Sequence, residues 1–253
     1  MDRSHPLVSE STGLAEPAES ADPVASPADS DAAEESAGEL ARAVDGRLPG
    51  RRGRATRDRL TSCTLAMLRH TSYRDLKVVD IAREAGTSPA TFYQYFPDVE
   101  SAILGLAEDM ADAGNDRLTR IVLEGSWKGA AGYATAEAIA DAYIGFWDDN
   151  LPLMSVLDLT SLEGDARFRS IRTRLLNEFT VALAAVVEEH RLAGRHPESM
   201  NSMATAGVLV SMLANVASHR QGFESFGIES DDLRRSMARI VFTAVTGQKP
   251  PAA

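Results

Sequence analysis

The side chains best suited to chemistry in this chain lie between residues 87 and 94. They supply hydroxyl, phenol and amide groups in close succession: Thr87, Ser88, Thr91, Tyr93 and Gln94. Groups of this kind contact phosphate oxygens and base edges in complexes with DNA. The segment therefore predicts a DNA-reading surface, provided that a rigid element holds these side chains together.

The residues around this surface predict that element, a helix-turn-helix over residues 78–95. Two short helices can cross closely where a side chain is small, as at Ala82. Gly86 suits the turn, because a positive φ costs little without a Cβ. Ser88 fits as the N-cap of the second helix, and Pro89 has the φ of a first helical turn. An ordinary pair of helices in an all-helical core is the alternative interpretation.

A group of arginines precedes the first predicted helix. It consists of Arg51, Arg52, Arg54 and Arg57. Guanidinium groups bind DNA phosphates and enter the minor groove, so these residues form a candidate DNA-contacting arm. Solvated linker charge is the other interpretation.

Residues 57–103 resemble the DNA-binding domain of the TetR family of regulators. The resemblance rests on the run G-[TS]-x-x-T-[FL]-Y-x-Y-F, which this chain matches with Gly86, Thr87, Thr91, Phe92, Tyr93, Tyr95 and Phe96. It implies that Ala90, Thr91, Tyr93 and Gln94 face the major groove. It also implies that Thr87 and Tyr95 bind phosphates. The family usually has a lysine just inside the fourth helix, where this chain has Val99, so one backbone contact is expected to be lost.

The charge of the chain is unevenly distributed. Residues 1–50 carry eleven acidic and three basic side chains, a balance of −8 within a total of −11. That segment has no aromatic residue and is rich in Ala, Ser, Pro and Glu, so we expect a disordered acidic arm. Residues 51–97 carry nine basic and four acidic side chains. A positive patch large enough for DNA thus lies within an acidic protein.

Helical periodicity dominates the chain after the arm. It predicts an all-α fold of about nine helices, without a half-buried strand. The predicted helices span residues 56–70, 78–86, 88–96, a longer one from 98, 135–150, a short one ending near 163, 165–192, 198–221 and 231–246. We expect a three-helix DNA-binding domain at 51–97, a helical effector-binding and dimerisation domain at 98–247, and a C-terminal tail at 248–253.

The last two predicted helices are the best candidates for a homodimer interface. The helix at 198–221 is apolar nearly all round, which is typical of a buried helix. It carries small residues at helical spacing that permit close approach of another helix: Ala204, Gly207, Ser211, Ala214 and Ser218. Packing within the chain explains this pattern nearly as well. A two-fold dimer would place two reading helices about one DNA turn apart and predicts a palindromic operator.

Aromatic and methionine side chains on predicted inward faces form a candidate ligand site. They are Tyr143, Phe146, Trp147, Met154, Phe179, Met212 and Asn215. Apolar walls with few polar groups suit a small hydrophobic effector, although plain core packing explains each residue alone. Asn215 is the most suggestive, because a buried amide in an apolar helix needs partners.

Other reactive residue types give little. The single cysteine, Cys63, fits a buried and inert thiol better than a redox sensor. His190 and His196 flank a helix end, and His70 and His219 have no Asp or Glu partner at metal-ligand spacing. No cofactor, metal site or catalytic residue is predicted. No apolar run is long enough for a membrane span and no signal peptide is visible, so we expect a cytoplasmic protein.

Together these features predict a DNA-binding transcriptional regulator. We expect a repressor that binds double-stranded operator DNA as a dimer and is released by its effector. An activator of the same fold, a helical interaction module without specific DNA binding and a helical enzyme are the alternatives. The acidic arm, which adjoins the arginines, serves either as a solubilising tail or as a competitor of DNA.

Overall fold

The computed structural model describes residues 50–251. This part of the chain contains nine α-helices and a 3-10 turn at Tyr73–Asp75, with no strand. The helices are α1 (Arg51–Leu68), α2 (Val78–Glu84), α3 (Pro89–Tyr95), α4 (Val99–Glu124), α5 (Gly129–Leu162), α6 (Ala166–Leu192), α7 (Ser202–Ser218), α8 (Arg220–Ser225) and α9 (Ser230–Thr246). The expected all-α fold is confirmed. The predicted acidic arm, except Gly50, lies outside the described residues, as do residues 252 and 253.

Helices α1–α3 form the reading head, in which α2 and α3 are joined by a tight turn. Ala82 and Phe92 are fully buried. Gly86 has a φ of +64°, which an L side chain rarely adopts. The backbone N–H of Thr87 donates to the carbonyl of Ala82 over 2.9 Å and closes the turn. The predicted helix-turn-helix is therefore present.

Helices α4–α9 form the larger helical domain. Helix α4 packs mainly on α6, α5 packs on α9, and α6 also packs on α7. Aspartate side chains cap two of these helices, since Asp98 accepts from Ser101 N and Asp165 accepts from Arg167 N. Because α4 also contacts α1, it connects this domain to the reading head. No helix within residues 50–251 is long and apolar enough to cross a membrane.

Helix α1 begins at Arg51, five residues before its predicted start. The sequence offered no start signal there, because the N-cap Gly50 has no side chain to accept a hydrogen bond and the first turn has no acidic residue. The chain nevertheless remains helical through Gly53. The arginines predicted to precede the helix therefore lie on it.

Helix α5 runs without a break through Pro152, so the prediction of two helices there is wrong. Proline removes the N–H that would bond to the carbonyl four residues earlier. The helix tolerates this loss because residues beyond the proline remain in the core; Leu153 and Met154 are both buried. The side-chain amide of Asn150 also donates to the Phe146 carbonyl over 2.8 Å.

Helix α7 is shorter and more exposed than predicted. It begins at Ser202, where the side chain of Asn201 accepts from Ala204 N over 2.9 Å. It ends before His219, and α8 follows as a separate short helix. Because Val208 is 70% exposed, the expectation that this helix is buried all round is wrong. The number of helices agrees with the prediction, but their division differs at α5 and at α7–α8.

Candidate nucleic-acid interface and regulatory core

Helix α3 is held by one aromatic side and exposes the other. Phe92 and Phe96 are buried, with ring centroids 5.5 Å apart. On the opposite side Ala90, Tyr93 and Gln94 are exposed, and Tyr93 has 52% of its surface accessible. A rigid base with an outward row of side chains is the arrangement that base-edge recognition requires.

The N-terminus of α3 is fixed by the predicted cap. The Ser88 hydroxyl accepts from the backbone N–H of Thr91 over 3.1 Å, and the two hydroxyl oxygens lie 3.0 Å apart. Ser88 is exposed, whereas Thr87, Thr91 and Tyr95 are half-buried at the edges of the helix. The hydroxyls assigned to DNA contacts are therefore already oriented. Their contacts with DNA stay predictions.

The structure separates the four arginines predicted to contact DNA into two groups. Arg51, Arg52 and Arg54 are exposed near the start of α1. The guanidinium carbon of Arg57 lies 5.2 Å from the centre of the Phe96 ring, a cation–π distance. Its Nη2 atom is 3.3 Å from the position that a Cβ on Gly105 would take. Arg57 is thus partly engaged between α1 and α4, and its predicted phosphate contact stays a prediction.

Val99 occupies the first position of α4, where the resemblance led us to expect a lysine. It is half-buried and packs against the hydrophobic core. An apolar side chain in this place contributes to the joint between the reading head and α4 and offers no charge to a phosphate.

Polar contacts that the sequence gave no sign of join the reading head to the turn between α5 and α6. Arg74 forms an ion pair with Glu163, and the Tyr73 hydroxyl donates to the same carboxylate over 3.3 Å. The hydrogen bond from Arg74 holds the pKa of Glu163 below its usual range. Arg167, in the first turn of α6, pairs with Glu100 of α4 at 3.2 Å. These contacts therefore couple the position of this turn to that of the reading head.

Most of the predicted ligand-site residues meet in the core of the larger domain. Five of them are buried: Tyr143, Phe146, Trp147, Met154 and Phe179. The Tyr143 and Trp147 rings stack with centroids 5.8 Å apart and planes 12° apart. The Phe179 ring lies 5.5 Å from that of Tyr143, which brings α6 against α5.

The structure does not place Asn215 with this cluster. Asn215 is exposed on α7, and Met212 is half-buried. The expectation of a buried amide at 215 is wrong, because the outer face of α7 has no neighbour within residues 50–251. The burial that suggested a role for Asn215 in ligand binding is therefore absent.

Several polar side-chain atoms within residues 50–251 are buried and have no hydrogen-bond partner there, among them the Tyr143 hydroxyl, the Asn115 side-chain carbonyl and the Thr119 hydroxyl. Tyr143 was predicted from the sequence, whereas Asn115 and Thr119 were not. Asn115 and Thr119 lie one turn apart on α4. An asparagine on the apolar side of that helix, between Ala111 and Leu118, was the available signal. Burial raises the pKa of Tyr143, so its hydroxyl stays protonated and can donate.

The cysteine and two of the histidines lie in surroundings that explain them as structural residues. Cys63 is half-buried, and burial raises the pKa of its thiol, which disfavours the reactive thiolate. Nδ1 of His190 lies 2.9 Å from the Val186 carbonyl. Nε2 of His196 lies 3.1 Å from the carbonyl of Val245 and links the α6–α7 loop to α9.

Comparison with known families matches both parts of the chain. The family described as "Bacterial regulatory proteins, tetR family" matches residues 60–101, which cover most of the reading head. The family described as "Tetracyclin repressor-like, C-terminal domain" matches residues 118–252. The HTH-type transcriptional regulator EthR of Mycolicibacterium smegmatis is 23% identical over 187 residues, which span 73% of this chain and 83% of that protein.

Solved structures share the fold at low sequence identity. A tetR-family transcriptional regulator from Streptomyces coelicolor aligns with a TM-score of 0.60 and 17% identity, over 76% of this chain and 82% of the other. The transcriptional regulator FadR from Bacillus subtilis, in complex with stearoyl-CoA, aligns with a TM-score of 0.54 and 15% identity, over 76% and 98% of the two chains.

Proposed function

This chain belongs to the TetR family of transcriptional regulators, and we propose that it is a repressor that binds a palindromic operator as a homodimer and is released by an apolar effector. The observation that carries the proposal is the exposure of Ala90, Tyr93 and Gln94 on a helix anchored by buried Phe92. Because these three side chains are not buried in the core of the reading head, they can contact base edges.

The experiment that tests the regulator is a gel-shift titration with the DNA that flanks the coding region of this protein. The wild-type chain is expected to give saturable binding to one fragment. Footprinting of that fragment should show two half-sites about 34 Å apart. Binding of equal strength to every fragment would instead support general affinity for DNA. Failure to bind any fragment, even at low salt, would contradict the proposal.

The outer face of α7 supports the dimer. Ala204, Val208, Ser211 and Asn215 are exposed and lie on one face at helical spacing. On the neighbouring α9, Ile240 is 47% exposed. A face of mostly small side chains permits close approach of a second copy, and a two-fold axis pairs the face with itself.

We expect Val208→Glu to convert the dimer into monomers, because a two-fold axis would bring both carboxylates into one apolar contact. The measurement is molar mass by sedimentation equilibrium. Leu123→Glu is the matched control, since Leu123 has the same 70% exposure but lies on α4. The dimer interface on α7 would be refuted if both variants remained dimers, or if the control dissociated equally.

The orphaned polar atoms in the core of the larger domain support an effector site. Each buried group without a partner costs on the order of 1–3 kcal/mol, which a ligand can recover by hydrogen bonding. The Tyr143 hydroxyl, on the ring that stacks with Trp147, offers a donor, and Asn115 offers a carbonyl acceptor on α4. We infer an effector with a long apolar part and a polar head, for which fatty acyl thioesters such as the stearoyl-CoA held by FadR are the leading class.

We expect Tyr143→Phe to stabilise the ligand-free chain by roughly 1 kcal/mol and to weaken effector binding, because it removes an unpaired hydroxyl that the effector would satisfy. Thermal unfolding with and without stearoyl-CoA measures both effects. Tyr133→Phe, on the same helix but half-buried, is the control and should change neither. A variant less stable than wild type would show that the Tyr143 hydroxyl is already satisfied.

Release from DNA would follow from the position of α4. The orphaned atoms of Asn115 and Thr119 belong to this helix, which only three residues separate from the end of α3. An effector that separates α4 from α5 and α6 would favour dimers whose reading heads no longer fit the half-site spacing. The contacts of Glu163 with the reading head would let a movement of the α5–α6 turn change the spacing of the reading heads as well.

A further inference from the structure

The reading head has more positive charge than its surroundings neutralise. Within residues 50–251, five of its cationic side chains are exposed and form no ion pair: Arg51, Arg52, Arg59, Arg69 and Lys77. Two others do form ion pairs, Arg74 with Glu163 and Arg83 with Asp80. These five exposed cations are named the positive face. Because residues 51–97 carry nine basic and four acidic side chains, the reading head attracts any anionic chain, including DNA.

The same polypeptide carries an anionic segment of matching size. The acidic arm has a balance of −8, and its densest part, residues 29–39, contains five carboxylates and no basic side chain. It joins α1 directly at Gly50, where the arginines of the positive face begin. Charge complementarity and covalent attachment therefore favour an encounter within one chain.

The length of the connection permits this encounter. Ten residues lie between Glu39 and Gly50, and the eleven Cα–Cα steps from one to the other span up to about 36–40 Å when extended. Helix α1, with its 18 residues, is about 27 Å long. The carboxylates can therefore reach the cations along α1. A tethered segment is presented to such a site at an effective concentration on the order of millimolar.

We propose that the acidic arm docks on the positive face of its own reading head and competes there with DNA. DNA must displace the arm before it can bind, so the measured affinity is lower than that of the head alone. The displaced contacts also reduce the net number of counterions that DNA binding releases, which makes the salt dependence shallower. The competition rests on the proposed DNA binding, whereas the docking does not.

The first experiment compares DNA affinity between full-length chains that differ only in the arm. One variant has neutral residues at the five positions of the dense part: Asp29→Asn, Asp31→Asn, Glu34→Gln, Glu35→Gln and Glu39→Gln. The matched control keeps the composition of residues 1–48 but shuffles their order, and should behave as wild type. Fluorescence anisotropy with a random-sequence duplex gives the affinity at low and at moderate salt.

The neutralised variant is expected to bind the duplex at least about tenfold more tightly than wild type near 50 mM salt, with a steeper salt dependence. The difference should shrink near 300 mM, where screening weakens the docked arm. Equal affinities at low salt would overturn the competition.

A second experiment measures docking without DNA. Donor and acceptor dyes are placed on Ser36→Cys in the arm and Ser62→Cys on exposed α1, in a Cys63→Ala background. Energy transfer should be high at low salt, fall as salt rises and be weak in the neutralised variant. A mixture of singly labelled chains should give little transfer, because docking is within one chain; strong transfer there, or no dependence on salt or arm charge, would overturn the proposal. If no variant binds DNA, the proposed repressor fails and the energy transfer still decides the docking.

Discussion

Gly132→Ala is expected to destabilise the protein by roughly 1–3 kcal/mol, whereas Gly145→Ala, on the same helix, is expected to stabilise it by about 0.5–1 kcal/mol. A Cβ on Gly132 would lie 2.6 Å from the backbone carbonyl carbon of Trp127, and a Cβ on Gly145 would meet nothing within 4 Å. Backbone atoms cannot move aside as the end of a flexible side chain can. Trp127 is also fixed by its indole N–H, which donates to the Val122 carbonyl over 3.2 Å.

Thermal unfolding of the full-length variants measures the difference. One kcal/mol corresponds to roughly 2–4 °C in a chain of this size, so the two melting temperatures should move apart by several degrees. Because both substitutions replace a helical glycine with the best helix former, intrinsic helix propensity cancels between them. Similar shifts in both variants would mean that the α4–α5 connection does not hold Trp127 against Gly132.

The same pair of glycines shows which structural features the local sequence cannot predict. Gly86 was identifiable because its neighbours required a turn between two helical segments, and the structure gives it a positive φ. Gly132 and Gly145 both lie within helical sequence, and only the packing tells which of them is needed. Local signals therefore located Ser88, Pro89 and the turn, while the close approach of Trp127 to α5 depends on a tertiary contact.

Burial separates two asparagines that looked alike in sequence. Asn215 lies among apolar residues of α7, yet it is exposed because no other part of the described chain covers that face. Asn115 lies on the apolar side of α4, and its side-chain carbonyl is buried without a partner. Periodicity identifies the apolar face of a helix, but it does not tell whether that face meets the same chain or a second copy. The predicted helix break at Pro152 was wrong for a related reason. Core packing on both sides of the proline outweighs one lost hydrogen bond.

Tyr93→Ala is expected to lower the affinity for operator DNA by at least about 30-fold, since a good base contact contributes about 1–3 kcal/mol, a dimer makes it twice, and about 1.4 kcal/mol corresponds to tenfold. The fold should not change, because Tyr93 is 52% exposed. Its ring meets Phe92 edge-on, with centroids 5.9 Å apart, on the outer side of the buried aromatic pair. A gel-shift titration gives the affinity, and thermal unfolding confirms that the reading head is intact.

Tyr93→Phe separates the two ways in which this side chain can act. If the hydroxyl donates to a base or a phosphate, the phenylalanine variant should lose most of the affinity that alanine loses, because DNA then faces a ring without a donor. If the ring packs against a thymine methyl or a sugar, phenylalanine should bind nearly as well as tyrosine. Wild-type affinity in the alanine variant would show that α3 does not present Tyr93 to DNA, and would leave Ala90 and Gln94 to carry the specificity.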